Sequence, residues 1–143
     1  MKNMKSLFLI PLLIGFSGSA FADSETFKID VSAEGYRDYV LSGTDRNGSV
    51  GGIDPIVTVS KGDTIIFDID ADRHPFYIKT EFSRGVGDQV TTGIISGTPG
   101  TQNGTLSWNT KGVSRGKYYY VCSPHAPFGM GGSICLLYTS DAA

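Results

Sequence analysis

One stretch constrains this chain more than any other: an apolar strand that runs straight into a cluster of soft and nitrogen donors. Tyr118 to Gly132 reads Tyr-Tyr-Tyr-Val-Cys-Ser-Pro-His-Ala-Pro-Phe-Gly-Met-Gly-Gly, which leaves two residues between Cys122 and His125 and four between His125 and Met130. The aromatic and β-branched lead-in favours extended backbone. The prolines and glycines that follow break it, so the three side chains share one short turn. The only other histidine, His74, lies far upstream. For the four to act together, the fold must carry residue 74 onto the turn at 122–130.

The rest of the chain reads as short strands. Phe27, Ile29 and Val31 alternate with polar residues over Thr26 to Val31, and Ile65, Phe67 and Ile69 do the same over Thr64 to Asp70. Both are period-two patterns with one apolar face. Weaker candidates are Tyr36 to Leu41 and Ile56 to Val59, the latter joined to Thr64 by a Gly-Asp turn. Ser42 to Gly52 reads as a loop around Asp45-Arg46-Asn47-Gly48. His74 follows the turn Ala71-Asp72-Arg73 and precedes a strand at Phe76 to Lys79, which puts it at a strand edge. From Thr80 to Asn103 the composition is Gly, Ser, Thr and polar, a long connection holding one short strand or turn near Ile94-Ile95. Leu106 and Trp108 resume the alternation, and a last strand starts at Ser133-Ile134. No stretch sustains a helical period. Seven or eight such strands predict an all-β, antiparallel sandwich of one domain.

The first 22 residues stand apart. Lys2 and Lys5 precede an apolar run, Leu7 to Phe16, and small residues ending in Ala20-Phe21-Ala22. That is the pattern of a cleavable secretory signal, with an apolar run too short to anchor in a bilayer. The expected domain is 23–134, exported to the periplasm and without a membrane segment after cleavage. Removing the two lysines leaves ten basic against 14 acidic side chains, a charge of −4. Nothing basic invites nucleic acid. The last nine residues, Cys135-Leu-Leu-Tyr-Thr-Ser-Asp-Ala-Ala143, resemble an in-frame translation of a widely used transposase sequencing adapter. On that reading the natural strand breaks off after Ile134 and 135–143 is an artefact.

Each candidate ligand has an ordinary structural reading. Two cysteines in an exported chain usually pair, here Cys122 with Cys135. A lone strand-end histidine is commonly structural, and a methionine beside glycines is commonly filler. The set taken jointly is harder to explain this way, because it uses every histidine in the chain. One thiolate, two imidazoles and one weak thioether are the donors of a blue-copper electron-transfer site. Zinc with the same thiolate and imidazoles is the competing metal, but methionine suits it poorly and no spare carboxylate stands by as a base. With both histidines committed to a metal, no serine has a partner to activate it, and hydrolysis is set aside.

These residues resemble the cupredoxins, specifically the plastocyanin-like type 1 copper proteins. The likeness lies in Val57-Thr-Val-Ser-Lys-Gly-Asp-Thr-Ile-Ile-Phe67, in His74-Pro75-Phe76, and in Tyr120-Val-Cys-Ser-Pro-His125 with Met130-Gly131-Gly132, and it covers about residues 26 to 134. It implies a Greek-key β-sandwich binding one copper, Cu(I) or Cu(II), through His74, Cys122, His125 and Met130. The implied role is one-electron transfer, not catalysis, by a soluble periplasmic monomer working between a donor and an acceptor such as a cytochrome or a copper or haem oxidoreductase. The exposed edge of His125 is the implied exit for the electron, with Phe76 and Ala126 to Phe128 as an apolar collar. The alternative is a periplasmic copper-binding protein for storage, delivery or resistance. Carriers of that kind usually display several exposed methionines or histidines, whereas 23–134 has only Met130.

One departure from the family is chemical. Many cupredoxins place Asn after the first histidine and use its backbone N–H on the cysteine sulfur, but Pro75 and Pro124 have no N–H to give. A sulfur with fewer donors holds more negative charge and favours Cu(II). Pro75→Asn is therefore expected to raise the reduction potential in a redox titration, and an unchanged or lower value refutes the argument.

Overall fold

In the computed structural model, which describes residue 15 and residues 23–138, the chain forms two facing sheets. Residues 1–14, 16–22 and 139–143 are outside the described residues, and with them most of the expected signal segment and the end of the tail. The ten strands are β1 (Thr26–Glu34), β2 (Asp38–Asp45), β3 (Gly48–Ile53), β4 (Val57–Ser60), β5 (Thr64–Asp70), β6 (Phe76–Lys79), β7 (Ile94–Ser96), β8 (Asn103–Asn109), β9 (Lys117–Cys122) and β10 (Gly131–Leu137). One sheet runs β3-β2-β1-β5-β8-β7 and the other β4-β10-β9-β6. This is a two-sheet β-sandwich, the architecture class expected. A single 3-10 helix, Ser123–Phe128, is the helical element among the described residues.

The alternation in the sequence explains the core. Phe27, Ile29, Val31, Ile65, Phe67, Ile69, Leu106 and Trp108 are all buried from the first sheet, and Tyr118, Tyr120, Ile134 and Leu136 from the second. At about 25 cal/mol per Å² of apolar surface, this burial is the main force holding the sheets together.

The expected pairing needs two corrections. The sandwich is mixed, because β1 runs parallel to β5 and β10 parallel to β4. The Gly-Asp turn after β4 accordingly joins no hairpin: it passes the chain from one sheet to the other, and all four residues of β4 are buried. Period-two patterning reports which face is buried and is blind to which neighbour pairs. The second correction concerns Ser42 to Gly52. The turn at Asp45 to Gly48 is real, but it closes a hairpin between β2 and β3 (Asp45↔Gly48, Gly43↔Val50). The glycines hide an edge strand whose only buried side chain is Val50. At the other end, Cys135 to Leu137 continue β10 beside Thr58 to Ser60 of β4.

A buried ion pair fixes the corner where β4 turns into β5. The Asp63 side chain has no exposure, and its carboxylate accepts from Arg46 Nε (2.8 Å) and Nη2 (2.7 Å) and from the N–H groups of Glu25 (2.9 Å) and Ser60 (2.7 Å). Burial opposes its ionisation, but these donors outweigh it and hold its pKa below the ordinary value. A depressed folded-state pKa means that the stability Asp63 contributes is complete above its unfolded value of about 3.9 and is lost as pH falls through the lower folded value. Asp63→Asn, which removes the buried carboxylate and leaves Arg46 only the exposed Glu25 as an ionic partner, is expected to cost about 3–5 kcal/mol in urea unfolding at pH 7 and much less near pH 2.

Candidate metal centre

Strand register delivers the cysteine. Along β9 the side chains of Tyr118, Tyr120 and Cys122 alternate inward, so Cys122 stands at the core end of the strand with no exposure. Opposite it in the β6 pairing is Phe76, and His74 lies two residues before that partner. The chain reaches His74 through a turn closed by its own N–H donating to Ala71 O (2.9 Å), with Arg73 in left-handed backbone at φ 69°. His74 is 9% exposed, whereas His125 is half-buried.

The turn after β9 is closed at its neck. Cys122 N–H donates to Met130 O (3.1 Å), and Met130 N–H to His125 O (3.4 Å). Pro124 supplies the restricted φ that starts the 3-10 helix, and Gly129 ends it at φ 88°. Gly131, at φ 145°, has no room for a side chain, since a Cβ there would lie 2.2 Å from Tyr120 O. Met130 is fully buried between these two glycines.

The loop is braced from below by a buried lysine that the sequence reading passed over. Lys79, at the end of β6, is fully buried. Its ammonium pairs with Asp88 (2.9 Å) and donates to Gly85 O (2.8 Å), Ser83 Oγ (3.0 Å) and Ser83 O. Gly85 in turn exchanges two hydrogen bonds with the Ser123 hydroxyl, next to Cys122 (2.9 and 3.0 Å). The polar connection from Thr80 is thus an ordered support of the cysteine turn.

Three of the four expected ligands present donor atoms to one point. The Nδ1 atoms of His74 and His125 are 3.1 Å apart, and Cys122 Sγ lies 3.7 Å from the first and 3.4 Å from the second. A small ion with metal–nitrogen and metal–sulfur bonds of about 2.0–2.3 Å requires donors about 3.1–3.7 Å apart at angles of about 100–120°. The spacings fit such an ion. Among the described residues, this is the cluster of His, Cys, Asp and Glu able to hold one. Met130, the fourth expected ligand, ends the same loop and is fully buried.

Burial, the largest cause, pushes the Cys122 thiol pKa up. Among the described residues, the polar atoms within hydrogen-bond reach of its sulfur are the two imidazole nitrogens. His74 is kept below its ordinary pKa by burial first and by the neighbouring His125 second, which favours the neutral imidazole that a metal needs. On the open side, Tyr36 (50% exposed) and Phe128 (53%) flank His125 with ring centroids at 6.1 and 6.3 Å, and Arg37 lies over Tyr36. Phe128 was expected in this collar. Tyr36, assigned to a strand by its pattern, instead tips the β1–β2 turn.

The disulfide alternative fails on position. Both cysteines are free, and Cys135 pairs with Lys117, at the far end of β9 from Cys122. Five strand residues separate them by about 16 Å, well beyond disulfide reach.

Comparison with known proteins agrees on architecture. No protein-family model matches the chain, and no curated protein does. Among solved structures, rusticyanin from Thiobacillus ferrooxidans superposes with a TM-score of 0.50 at 21% identity, over 80% of this chain and 79% of that one. A pseudoazurin from Sinorhizobium aligns at 19% identity over 80% of this chain and 74% of its own, with a TM-score of 0.44. The likeness to rusticyanin establishes a shared fold.

The two thiols differ sharply in access. In metal-free protein, Cys135, which is exposed, is expected to react with iodoacetamide at least about tenfold faster than the buried Cys122. Equal rates by mass spectrometry contradict the burial described here.

Proposed function

We propose that the chain belongs to the type 1 copper proteins and carries single electrons between redox partners in the periplasm. The observation that carries this reading is the convergence of two imidazole nitrogens and one thiol sulfur at 3.1–3.7 Å on a loop that ends in buried Met130. Rusticyanin, which shares the fold, is a copper protein. Bound copper would supply a one-electron couple whose two oxidation states accept the same soft and nitrogen donors.

The protein's own residues do the remainder. His74, Cys122 and His125 come from a sheet edge and a hydrogen-bonded loop, so they keep their places when the charge of the centre changes. Buried Phe76, Tyr39 and Met130 exclude water. The half-buried His125 is the ligand nearest solvent, and Tyr36 and Phe128 surround it with the apolar surface on which a cytochrome or another metalloprotein would dock. The segment 1–22 would direct export, leaving 23–134 as the working domain.

The alternative of copper storage or delivery is less well served. Handing over an ion needs accessible donors, whereas Cys122 is sealed and His74 is 9% exposed. The reading implies no enzymatic turnover.

Reconstitution with Cu(II) is expected to give an intense thiolate-to-copper band near roughly 600 nm. Cys122→Ser abolishes it, and Met130→Leu keeps it while raising the potential. A colourless protein that takes up zinc alone overturns the assignment.

A further inference from the structure

One buried polar side chain beside the donors is not a ligand. Tyr39, on β2, has no exposure, and its ring meets His74 (6.5 Å) and Phe76 (5.4 Å) edge-on and Tyr120 at a tilt (6.3 Å). A phenol has one proton to donate, and here its oxygen lies 3.0 Å from His74 O and 3.2 Å from Pro75 O. Both carbonyls of the segment that carries the first histidine are thus held by one hydroxyl from the opposite sheet.

The backbone of Tyr39 is fixed as tightly. Its N–H donates to Asp54 Oδ1 (2.9 Å), and Asp54 N–H donates back to Tyr39 O (2.9 Å). Asp54 also stands against the end of the ligand loop, where a Cβ on Gly132 would lie 2.9 Å from the Asp54 carbonyl oxygen. Asp54 makes these contacts from left-handed backbone at φ 43°, a conformation that costs a non-glycine residue energy and persists where the surroundings enforce it. A chain of hydrogen bonds therefore runs from His74 and Pro75 through Tyr39 to Asp54, which packs against the end of the loop that bears Cys122, His125 and Met130.

We propose that Tyr39, held by Asp54, is the positioning residue of the metal centre: its hydroxyl locks the carbonyls of the His74–Pro75 segment, and with them the first histidine, in place against Cys122. The hold on the segment rests on the hydrogen bonds alone. Its consequence for a metal rests on the copper reading, and the two are tested separately. Polar neighbours outside the ligand set fix ligand orientation and tune the metal, and their loss typically costs 10- to 100-fold in affinity.

Tyr39→Phe keeps the ring and its packing and removes only the hydroxyl. In the metal-free protein, amide hydrogen exchange at His74 and Phe76 is expected to rise at least about tenfold relative to Phe67 in the core; unchanged exchange at both overturns the positioning role, whether or not the protein binds copper. Colour in the unaltered protein judges the copper reading on its own. In the copper-loaded variant the affinity for copper is expected to fall at least about tenfold and the charge-transfer band to shift, because the first histidine is no longer held in place. An affinity and band equal to those of the unaltered protein overturn the link from this brace to the metal. Asp54→Asn, which tolerates the left-handed backbone but carries no charge, is expected to move exchange at His74 in the same direction by less, and no change there removes Asp54 from the brace.

Discussion

The whole arrangement depends on the register of β9. Its pairing with β6 sets Phe76 against Cys122, and its pairing with β10 sets Gly131 against Val121. Side chains alternate faces along a strand, so a slip of one residue would turn Cys122 to solvent and expose Tyr118 and Tyr120 with it. The hydrophobic cost of that slip is several kcal/mol for the two aromatic rings alone. Packing energy that has nothing to do with metal thus holds the thiol in the one orientation that meets both imidazoles. The donors need little further persuasion: the Cys122-to-Met130 bond closes the loop, and the Ala71-to-His74 turn aims the remaining ring.

The three converging donors were legible because donor chemistry is carried by residue identity, and this chain has only two histidines. The sandwich was legible because most strands bury one face and expose the other. What stayed hidden has a common physical character. The parallel neighbours β1 with β5 and β4 with β10 bring together segments far apart in sequence, and nothing local marks such a partnership. The β2–β3 hairpin is Gly-rich at its edge and lacks an apolar stripe. Tyr39 was read only as part of a weak strand, since an aromatic residue announces burial without announcing what its hydroxyl will touch. Asp54 before Pro55 carries no local sign of the strand it will hold. Lys79 at the end of an apolar strand was the available clue to an internal ion pair, because a charge placed in such a run must find a partner.

Two polar networks therefore divide the labour around one apolar core. Asp63 with Arg46 fastens the corner where the chain crosses between sheets, at the end opposite the donors. Lys79 with Asp88 lies nearer the site and turns a polar connection into a floor for Ser123. Buried ion pairs of this kind add little net stability against an apolar substitute, and their value is in forbidding alternatives. A loop that must place Gly85 against Ser123 has few other ways to satisfy an ammonium with no access to water.

The parallel pairing of β10 with β4 bears on the order in which the molecule assembles. Val57 waits for Ile134, and contacts between segments so distant form slowly because the intervening chain must surrender its freedom before any contact rewards it. Until β10 arrives, β4 has no strand beside it. The β9–β10 pairing that closes the donor loop spans only the loop itself, so it does not wait for that distant partner. The element left waiting is β4, whose four buried side chains have no cover of their own until the two chain-distant strands meet.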